Sequence, residues 1–366
     1  MAIISPNALP LSDKNNNTVL SKKYLVHPVE KRAASGQYFS AMIALSSRAF
    51  LMHRLLPFAL AAGLLFELLT QAPDVQLGSI LKSPTAGSWV FLLGALVLMP
   101  VNWWAEVQKW RSLMESVSPL SASTSWKAVL AGVAVSLFTP NRIGEYGGRI
   151  LFVAPEHRWY AVGASALGNL AQALVLFSGG LCGLLWLGWY MHGLDDRQAL
   201  LIALFALSAV GIFWRAYFHL PRTLGWLSRK NFVKRLKRLV NVDPANWPGI
   251  LPPTLARQAF WAALRYAVYC TQYFLLLQLF GINTGFFAGF AGISVLFLLQ
   301  TGIPLPPLSG LLARGNLAVA MWHLFGGTAS ESLAATYCLW IINLILPAFF
   351  GTFFLLYVRK TNDSSV

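Results

Sequence analysis

Long apolar stretches separated by short polar gaps dominate the pattern of this chain. A helix needs about 20 apolar residues to cross a membrane. Six stretches reach that length, at about residues 48–70, 88–106, 159–190, 198–218, 256–281 and 331–358. The pattern therefore predicts an all-α polytopic membrane protein with about six spanning helices.

Two further apolar regions are interrupted before they can cross. Pro140 breaks the first region, and the proline-rich turn 303–310 breaks the second. Backbone that leaves a helix at membrane depth must be buried in protein or must line a watery cavity. Each region therefore forms a re-entrant hairpin or a pair of short crossing helices, and the breaks are the first places to expect a site. The arms of these pairs are residues 126–138 with 143–153, and 284–302 with 311–325.

The basic residues lie mainly in every second gap between apolar stretches. This distribution predicts how the chain is oriented in the membrane. Lys and Arg collect in residues 1–54, 107–127 and 219–255, whereas the opposite gaps hold Lys82 and Arg197. Because Lys and Arg concentrate in cytoplasmic loops, both termini are expected in the cytoplasm. The two broken regions then open to opposite faces of the membrane.

This orientation makes residues 88–190 and 256–358 inverted copies in outline. Inverted repeats with paired broken helices are typical of secondary transporters. We expect three regions along the chain. They are a flexible cytoplasmic tail at 1–45, a transmembrane domain at 46–358 with a basic cytoplasmic loop at 219–255, and a second cytoplasmic tail at 359–366.

Composition supports the membrane class and argues against others. The chain is 56% hydrophobic and 11% charged, with a mean hydropathy of +0.57, which is too apolar for a soluble globule. Its net charge of +15 is scattered through the gaps, so we expect a membrane surface and no nucleic acid as its partner. The three cysteines and six histidines show no ligand spacing, so neither a metal nor a cofactor is expected.

The first break holds the candidate site. Thr139, Pro140 and Gly144 are predicted to form an elbow that opens a short helix. Arg142, Glu145 and Arg149 follow at helical spacing, so one face collects two positive charges and one negative charge. The excess positive charge suits a phosphate. Alternatively, Glu145 and Arg149 form a structural ion pair, and Arg142 reaches the lipid surface.

The second break also has a proline–glycine elbow followed by an arginine, but it carries fewer charges. Pro306, Pro307 and Gly310 are predicted to form the elbow, and Arg314 and Asn316 follow as candidate substrate-binding residues. A plain proline–glycine turn is the alternative.

Other polar groups lie inside apolar stretches and favour structural roles. Arg265, Gln272 and Asn169 are typical of hydrogen bonds between helices. The tryptophans of the segment 102–111 indicate an interfacial belt.

Several motifs together carry a family resemblance. They are Asn102-Trp103, the run Leu137–Glu145 with Arg149, Arg265-Tyr266, and the late elbow from Pro306 to Arg314. With them, residues 45–358 resemble the lysylphosphatidylglycerol synthase transmembrane region family, which is also described as flippase-like. In that family the membrane region is implicated in moving a modified phospholipid or another lipid-linked molecule between leaflets. The resemblance also implies a bacterial inner membrane.

The chain departs from this family in two ways. Some members continue into a soluble domain that transfers an aminoacyl group from tRNA, but only nine residues follow Tyr357, so the resemblance implies the membrane half alone. The family's late elbow commonly has an acid directly after its arginine. Here Gly315 and Asn316 follow Arg314, which argues against an ion pair at the second elbow.

Three hypotheses follow. The first is a flippase-like protein that binds and translocates an anionic phospholipid or lipid-linked molecule through Arg142, Arg149 and Arg314. The second is a membrane enzyme that modifies such a lipid with Glu145 as general base, although no partner acid or metal is evident. The third is a non-catalytic membrane partner that recruits a soluble enzyme through residues 1–45 or 219–255.

Overall fold

The described part of the chain is helical, as the apolar pattern predicts. The computed structural model describes residues 89–137, 139, 142–191, 193, 195–227, 250–301 and 310–363, and every regular element in them is a helix. The expected helix at 48–70, the tail at 1–45 and residues 228–249 of the basic loop lie outside these ranges. The all-α polytopic class is confirmed.

The helices match the predicted segments in order and position. The long ones are α1 (Trp89–Met114), α4 (Arg158–Tyr190), α5 (Asp196–Phe218) and α7 (Pro252–Leu279). The short ones are α2 (Ala122–Ser136), α3 (Gly144–Ile150), α6 (Leu220–Leu227), α8 (Phe286–Thr301) and α9 (Gly310–His323). The last apolar stretch is one rod, in which α10 (Ala329–Trp340) continues through a π-helical turn (Ile341–Ile345) into α11 (Leu346–Asp363).

Four rods combine the length and the hydropathy of membrane spans. They are Trp89–Met114, Pro155–Tyr190, Asp196–Phe218 and Ala329–Leu356. The expected span at 256–281 corresponds to α7, whose 28 residues reach about 42 Å at 1.5 Å per residue. It is not among the four, because polar residues such as Gln258, Arg265 and Gln272 lower its hydropathy. Gln258 and Gln272 are fully buried, so these groups face the protein rather than lipid.

Contacts between the two halves come in exchanged pairs. Helix α2 of the first half packs against α11 of the second, and α8 of the second half packs against α4 of the first. The first helices of both halves, α1 and α7, pack against each other. An inverted repeat requires this pattern. Its two-fold axis would exchange α2 with α8 and α4 with α10–α11, so that the contact between α2 and α11 becomes the contact between α8 and α4. The same axis would exchange α1 with α7, which therefore pack against each other.

A ladder of polar contacts joins α1 to α7. Gln272 donates to the Ala95 carbonyl at 2.8 Å, Arg265 Nε donates to Asn102 Oδ1 at 3.0 Å, and Gln258 donates to the Lys109 carbonyl at 2.8 Å. From one contact to the next, the residue number rises by seven along α1 and falls by seven along α7, so the helices run antiparallel. A seven-residue repeat keeps one stripe of each helix facing the other. We call this interface the central seam.

Helices α2 and α3 approach each other backbone to backbone through two glycines. A Cβ built on Gly148 would lie 2.5 Å from Gly132 Cα and 2.6 Å from the Ala131 carbonyl oxygen. No real Cβ has such neighbours, so only glycine fits there. Gly147, one position earlier on α3, has open space around the same atom.

This close approach predicts different effects for two adjacent alanine variants. Gly148→Ala should lower stability by about 1–3 kcal/mol, because the added methyl group forces α2 and α3 apart. Gly147→Ala should leave stability unchanged or raise it slightly, because alanine favours a helix. Thermal unfolding in detergent, followed by size-exclusion chromatography of heated samples, measures both. Equal melting temperatures would contradict the packing described here.

Candidate functional site

A single carboxylate, Glu106, lies at the centre of the described structure and contacts three cations. Its side chain is 1% exposed. Oε2 lies 2.7 Å from Lys109 Nζ and 2.6 Å from Arg265 Nη1, and Oε1 lies 2.7 Å from Arg149 Nη2. These partners come from α1, α7 and α3, so one carboxylate connects three helices.

Helical spacing on α1 explains why these groups meet. Asn102, Glu106 and Lys109 stand four and three residues apart, so they share one face of the helix. All three are buried. That face is directed into the protein, where Arg265 of α7 contacts both Asn102 and Glu106.

Arg149 extends the charged network into the first hairpin. It is 1% exposed, forms a close ion pair with Glu145 one turn earlier on α3, and donates to Ser165 Oγ on α4 at 3.4 Å. Its guanidinium lies 5.7 Å from the ring centre of Trp110. Charges at membrane depth persist when they are paired, hydrogen-bonded or stacked in this way.

The network also reaches the last span at its π-helical turn. Asn102 Nδ2 donates to Asn343 Oδ1 at 2.6 Å, and Asn343 Nδ2 donates to the Leu339 carbonyl at 3.3 Å. π-Helical turns occur frequently at functional sites. We refer to Asn102, Glu106, Lys109, Glu145, Arg149, Arg265 and Asn343 as the buried polar cluster.

A cavity of about 280 Å³ lies beside this cluster. It is lined by residues of both halves, from α4 and the first elbow as well as from α7 to the π-helical turn. Its basic lining residues are Arg142, Arg265 and Arg314, and its uncharged polar ones include Gln172, Gln300, Thr301, Thr336 and Asn343. Its remaining wall is aromatic and aliphatic: Tyr266, Tyr269, Tyr273, Phe297, Trp340, Leu176, Leu311, Leu339 and Leu344.

The charge on this cavity has one sign. Three arginines line it, and none of its described lining residues is acidic. The nearest carboxylates are those of Glu106 and Glu145, which belong to the cluster behind the wall. The four basic side chains that contact these two acids outnumber them, so the combined assembly keeps a positive charge.

Arg142 has an unusual backbone at the edge of the cavity. Its φ is 59°, in the left-handed region that residues other than glycine seldom adopt. Its side chain is 39% exposed, and its Nε lies 3.8 Å from Glu145 Oε2. Just before it, Thr139 Oγ1 accepts a hydrogen bond from the Gly144 amide at 2.7 Å. Such backbone conformations persist where the surroundings impose them, often at ligand sites.

The structure divides the predicted site residues into two groups. Arg142 and Arg314 line the cavity, whereas Glu145 and Arg149 lie in the buried polar cluster behind it. Asn316 is exposed on α9 and does not line the cavity. Gly144 begins α3 and Gly310 begins α9. The elbow prolines Pro140, Pro306 and Pro307 lie outside the described residues.

Sequence reasoning missed the importance of Glu106 and Arg265. The tryptophans of the segment 102–111 were expected to form an interfacial belt, but Trp103 and Trp110 are each 1% exposed and stack with arginines of the cluster. That prediction is wrong for these two residues, because their rings cover buried charges. One available signal was the seven-residue spacing of Gln258, Arg265 and Gln272, which marks one helix stripe. A second signal was the spacing of Asn102, Glu106 and Lys109 on α1, which are four and then three residues apart.

Comparison with known proteins agrees with this architecture. A family model described as "Lysylphosphatidylglycerol synthase TM region" matches residues 54–351. The matched range contains the whole buried polar cluster and every lining residue of the cavity. No curated protein matches the sequence.

The position of Glu106 predicts that it is the most sensitive carboxylate in the described protein. Glu106→Gln keeps the shape but removes the charge that three buried cations share. We expect a loss of about 3–5 kcal/mol, the cost typical of breaking a buried pair. The change in stability is measured by thermal unfolding in detergent, with tryptophan fluorescence as the signal.

Glu115→Gln is the matched control. Glu115 directly follows α1, and its side chain is 68% exposed at 3.4 Å from Arg257. An exposed pair of this kind contributes about 0–1 kcal/mol. If both glutamine variants melt at the same temperature, Glu106 does not hold the helices together.

Proposed function

Because the chain belongs to the lysylphosphatidylglycerol synthase TM region family, we propose that it binds an anionic phospholipid or lipid-linked molecule in this cavity and translocates it between leaflets. The chain is a multi-pass membrane protein. The observation that carries the proposal is the composition of the cavity wall. Its described lining residues include three arginines, no acid and a set of aromatic and aliphatic side chains.

This wall has the chemistry of a lipid headgroup site. Guanidinium groups bind phosphate oxygens in pairs and remain charged at any physiological pH. Arg142 supplies such a group from the first elbow, Arg314 supplies one from α9, and Arg265 supplies one from the central seam. The apolar part of the wall suits the glycerol backbone and the first methylenes of the acyl chains, whose remainder stays in the bilayer.

The two-half arrangement suggests how such a lipid moves. The cavity is bounded by both hairpins. Helix α2 of the first half packs against α11 of the second, just as α8 of the second half packs against α4 of the first. Alternating access in inverted-repeat transporters is largely the rocking of one half against the other around a fixed site. We propose that the halves rock about α1 and α7, where the buried polar cluster connects them.

We propose that the protein lies in a bacterial inner membrane, as the family suggests, and that both termini are cytoplasmic, as the distribution of basic residues suggests. The two hairpins would then open to opposite leaflets, as translocation requires.

Of the predicted lipid-binding arginines, Arg142 is a better test of this proposal than Arg149. Arg149→Ala would remove a buried cation that contacts both Glu106 and Glu145 and would leave Glu145 with only the Arg142 contact at 3.8 Å, so we expect it to impair folding together with transport. Arg142 is 39% exposed and lies 3.8 Å from its acid, so its replacement removes a cavity charge at little structural cost.

We therefore expect Arg142→Gln and Arg314→Gln each to slow lipid movement at least tenfold. The measurement uses purified protein in phosphatidylcholine vesicles that contain phosphatidylglycerol labelled on an acyl chain, with dithionite quenching of the outer leaflet. Arg257→Gln, which removes an exposed arginine that is not among the described lining residues, should keep the wild-type rate. The proposal fails if wild-type protein moves no lipid faster than empty vesicles, or if Arg142→Gln and Arg257→Gln behave alike.

A further inference from the structure

We infer that Lys109 releases and rebinds a proton during the transport cycle, so that the phosphate of the lipid moves together with a proton. This inference rests on the proposed function and adds a second transported ion to it. Three observations support it: the few acceptors around the buried ammonium, the excess of positive charge near it, and the contact between the buried polar cluster and the cavity.

The Lys109 ammonium is buried with few acceptors. Its side chain is 1% exposed and packs along α4, where a Cβ on Gly168 would lie 3.2 Å from Lys109 Cε. Nζ lies 2.7 Å from Glu106 Oε2 but makes no hydrogen bond of good geometry within the described structure. An ammonium group has three protons to donate. Release of one proton removes the cost of burying this poorly solvated charge.

The carboxylate beside Lys109 is shared with two arginines. Glu106 Oε2 also lies 2.6 Å from Arg265 Nη1, and Oε1 lies 2.7 Å from Arg149 Nη2. Arginine stays protonated in proteins, so both guanidinium groups stabilise the carboxylate whether Lys109 is charged or neutral. Of the three described cations on Glu106, Lys109 is therefore the one that can lose its proton, and its loss leaves Glu106 paired.

The charges around Lys109 favour this release. The charged groups that act on it are Glu106 of its own helix, Arg265 of α7 and Arg149 of α3. Glu145 of α3 is itself paired with Arg149 and Arg142. The other charged side chains on the described helices that contact α1 are basic: Lys127 on α2, Arg158 on α4 and Arg257 on α7. Their tyrosines and cysteines are uncharged at neutral pH. Positive charge thus exceeds negative charge near the ammonium.

Arg265 connects this ammonium to the cavity. It contacts Glu106, is 14% exposed and lines the cavity, so a phosphate bound there adds negative charge beside the cluster. That charge favours the protonated form of Lys109. Because such coupling is reciprocal, a bound proton also strengthens the binding of the phosphate. Lipid and proton are therefore expected to bind together and to leave together.

The proton has a short route to the cavity. It passes from Lys109 Nζ to Glu106 Oε2 across 2.7 Å, and from the carboxyl group to water in the cavity beside Arg265. The ammonium becomes a neutral amine, the carboxylate is restored, and the solution gains one proton. Binding of the phosphate reverses these steps. The two arginines keep their protons throughout.

Lipid binding to the wild-type protein should take up protons. Short-chain phosphatidylglycerol is added to purified protein in weakly buffered detergent that contains a pH indicator. We expect uptake of up to about one proton per bound lipid. The apparent affinity should fall at least fivefold from mildly acidic to mildly alkaline pH, because neutral Lys109 adds no charge to the phosphate site. Binding without proton uptake at every pH would overturn this inference.

Transport should respond to a pH gradient. The vesicles are those of the dithionite measurement, with valinomycin and equal potassium on both sides to hold the membrane potential at zero. We expect a gradient that drives protons in the direction of lipid movement to raise the rate at least fivefold over symmetrical pH. Lipid movement that ignores the gradient would overturn this inference and leave the proposed translocation intact. If wild-type protein neither binds nor moves the lipid, the proposed function itself fails.

Two variants of Lys109 assign the response to this residue. Lys109→Arg fixes the positive charge and Lys109→Gln removes it, so each should lose both the proton uptake and the response to the gradient. Lys127→Gln is the matched control, since Lys127 is half-buried on α2 and is neither in the buried polar cluster nor among the described lining residues. It should keep both. A wild-type response in Lys109→Gln would overturn the assignment. The measurements on wild-type protein still decide the coupling if a variant fails to fold.

Discussion

Burial of charge at membrane depth is the constraint on which the structure depends. Glu106 is almost completely buried, and an uncompensated carboxylate there would be prohibitively unstable. Three cations from three helices compensate it, so α1, α3 and α7 can be placed only where their side chains reach the same two oxygens. The network therefore fixes the positions of these helices as well as stabilising them. The amide pair of Asn102 and Asn343 extends the same requirement to the last span.

The two halves share an architecture but not a charge pattern. The first half supplies both acids of the cluster, Glu106 and Glu145, whereas the described second half supplies arginines to the cavity wall, Arg265 and Arg314. Equivalent helices are thus used for different purposes. Glu106 and Glu145 pair with cations of both halves, and Arg142 of the first half lines the cavity together with Arg265 and Arg314 of the second.

The candidate site could be predicted from sequence only in part. The breaks at membrane depth identified both elbows, and Arg142 and Arg314 do line the cavity between them. Glu145 and Arg149 were visible as an ion pair one turn apart, since that contact is local. Glu106 and Arg265 were not assigned a site role, because their contact joins residues 159 positions apart and depends on how two helices are paired.

What the sequence determined by itself is the class, the number of apolar segments and where two of them break. These follow from lengths and hydropathy, which the bilayer imposes on each segment separately. Only the tertiary structure decided which polar residues face one another, because a helix exposes its whole circumference until neighbours cover part of it. The antiparallel pairing of α1 with α7 buried Glu106 beside Arg265, and the tertiary fold brought Arg142 and Arg314 to one cavity.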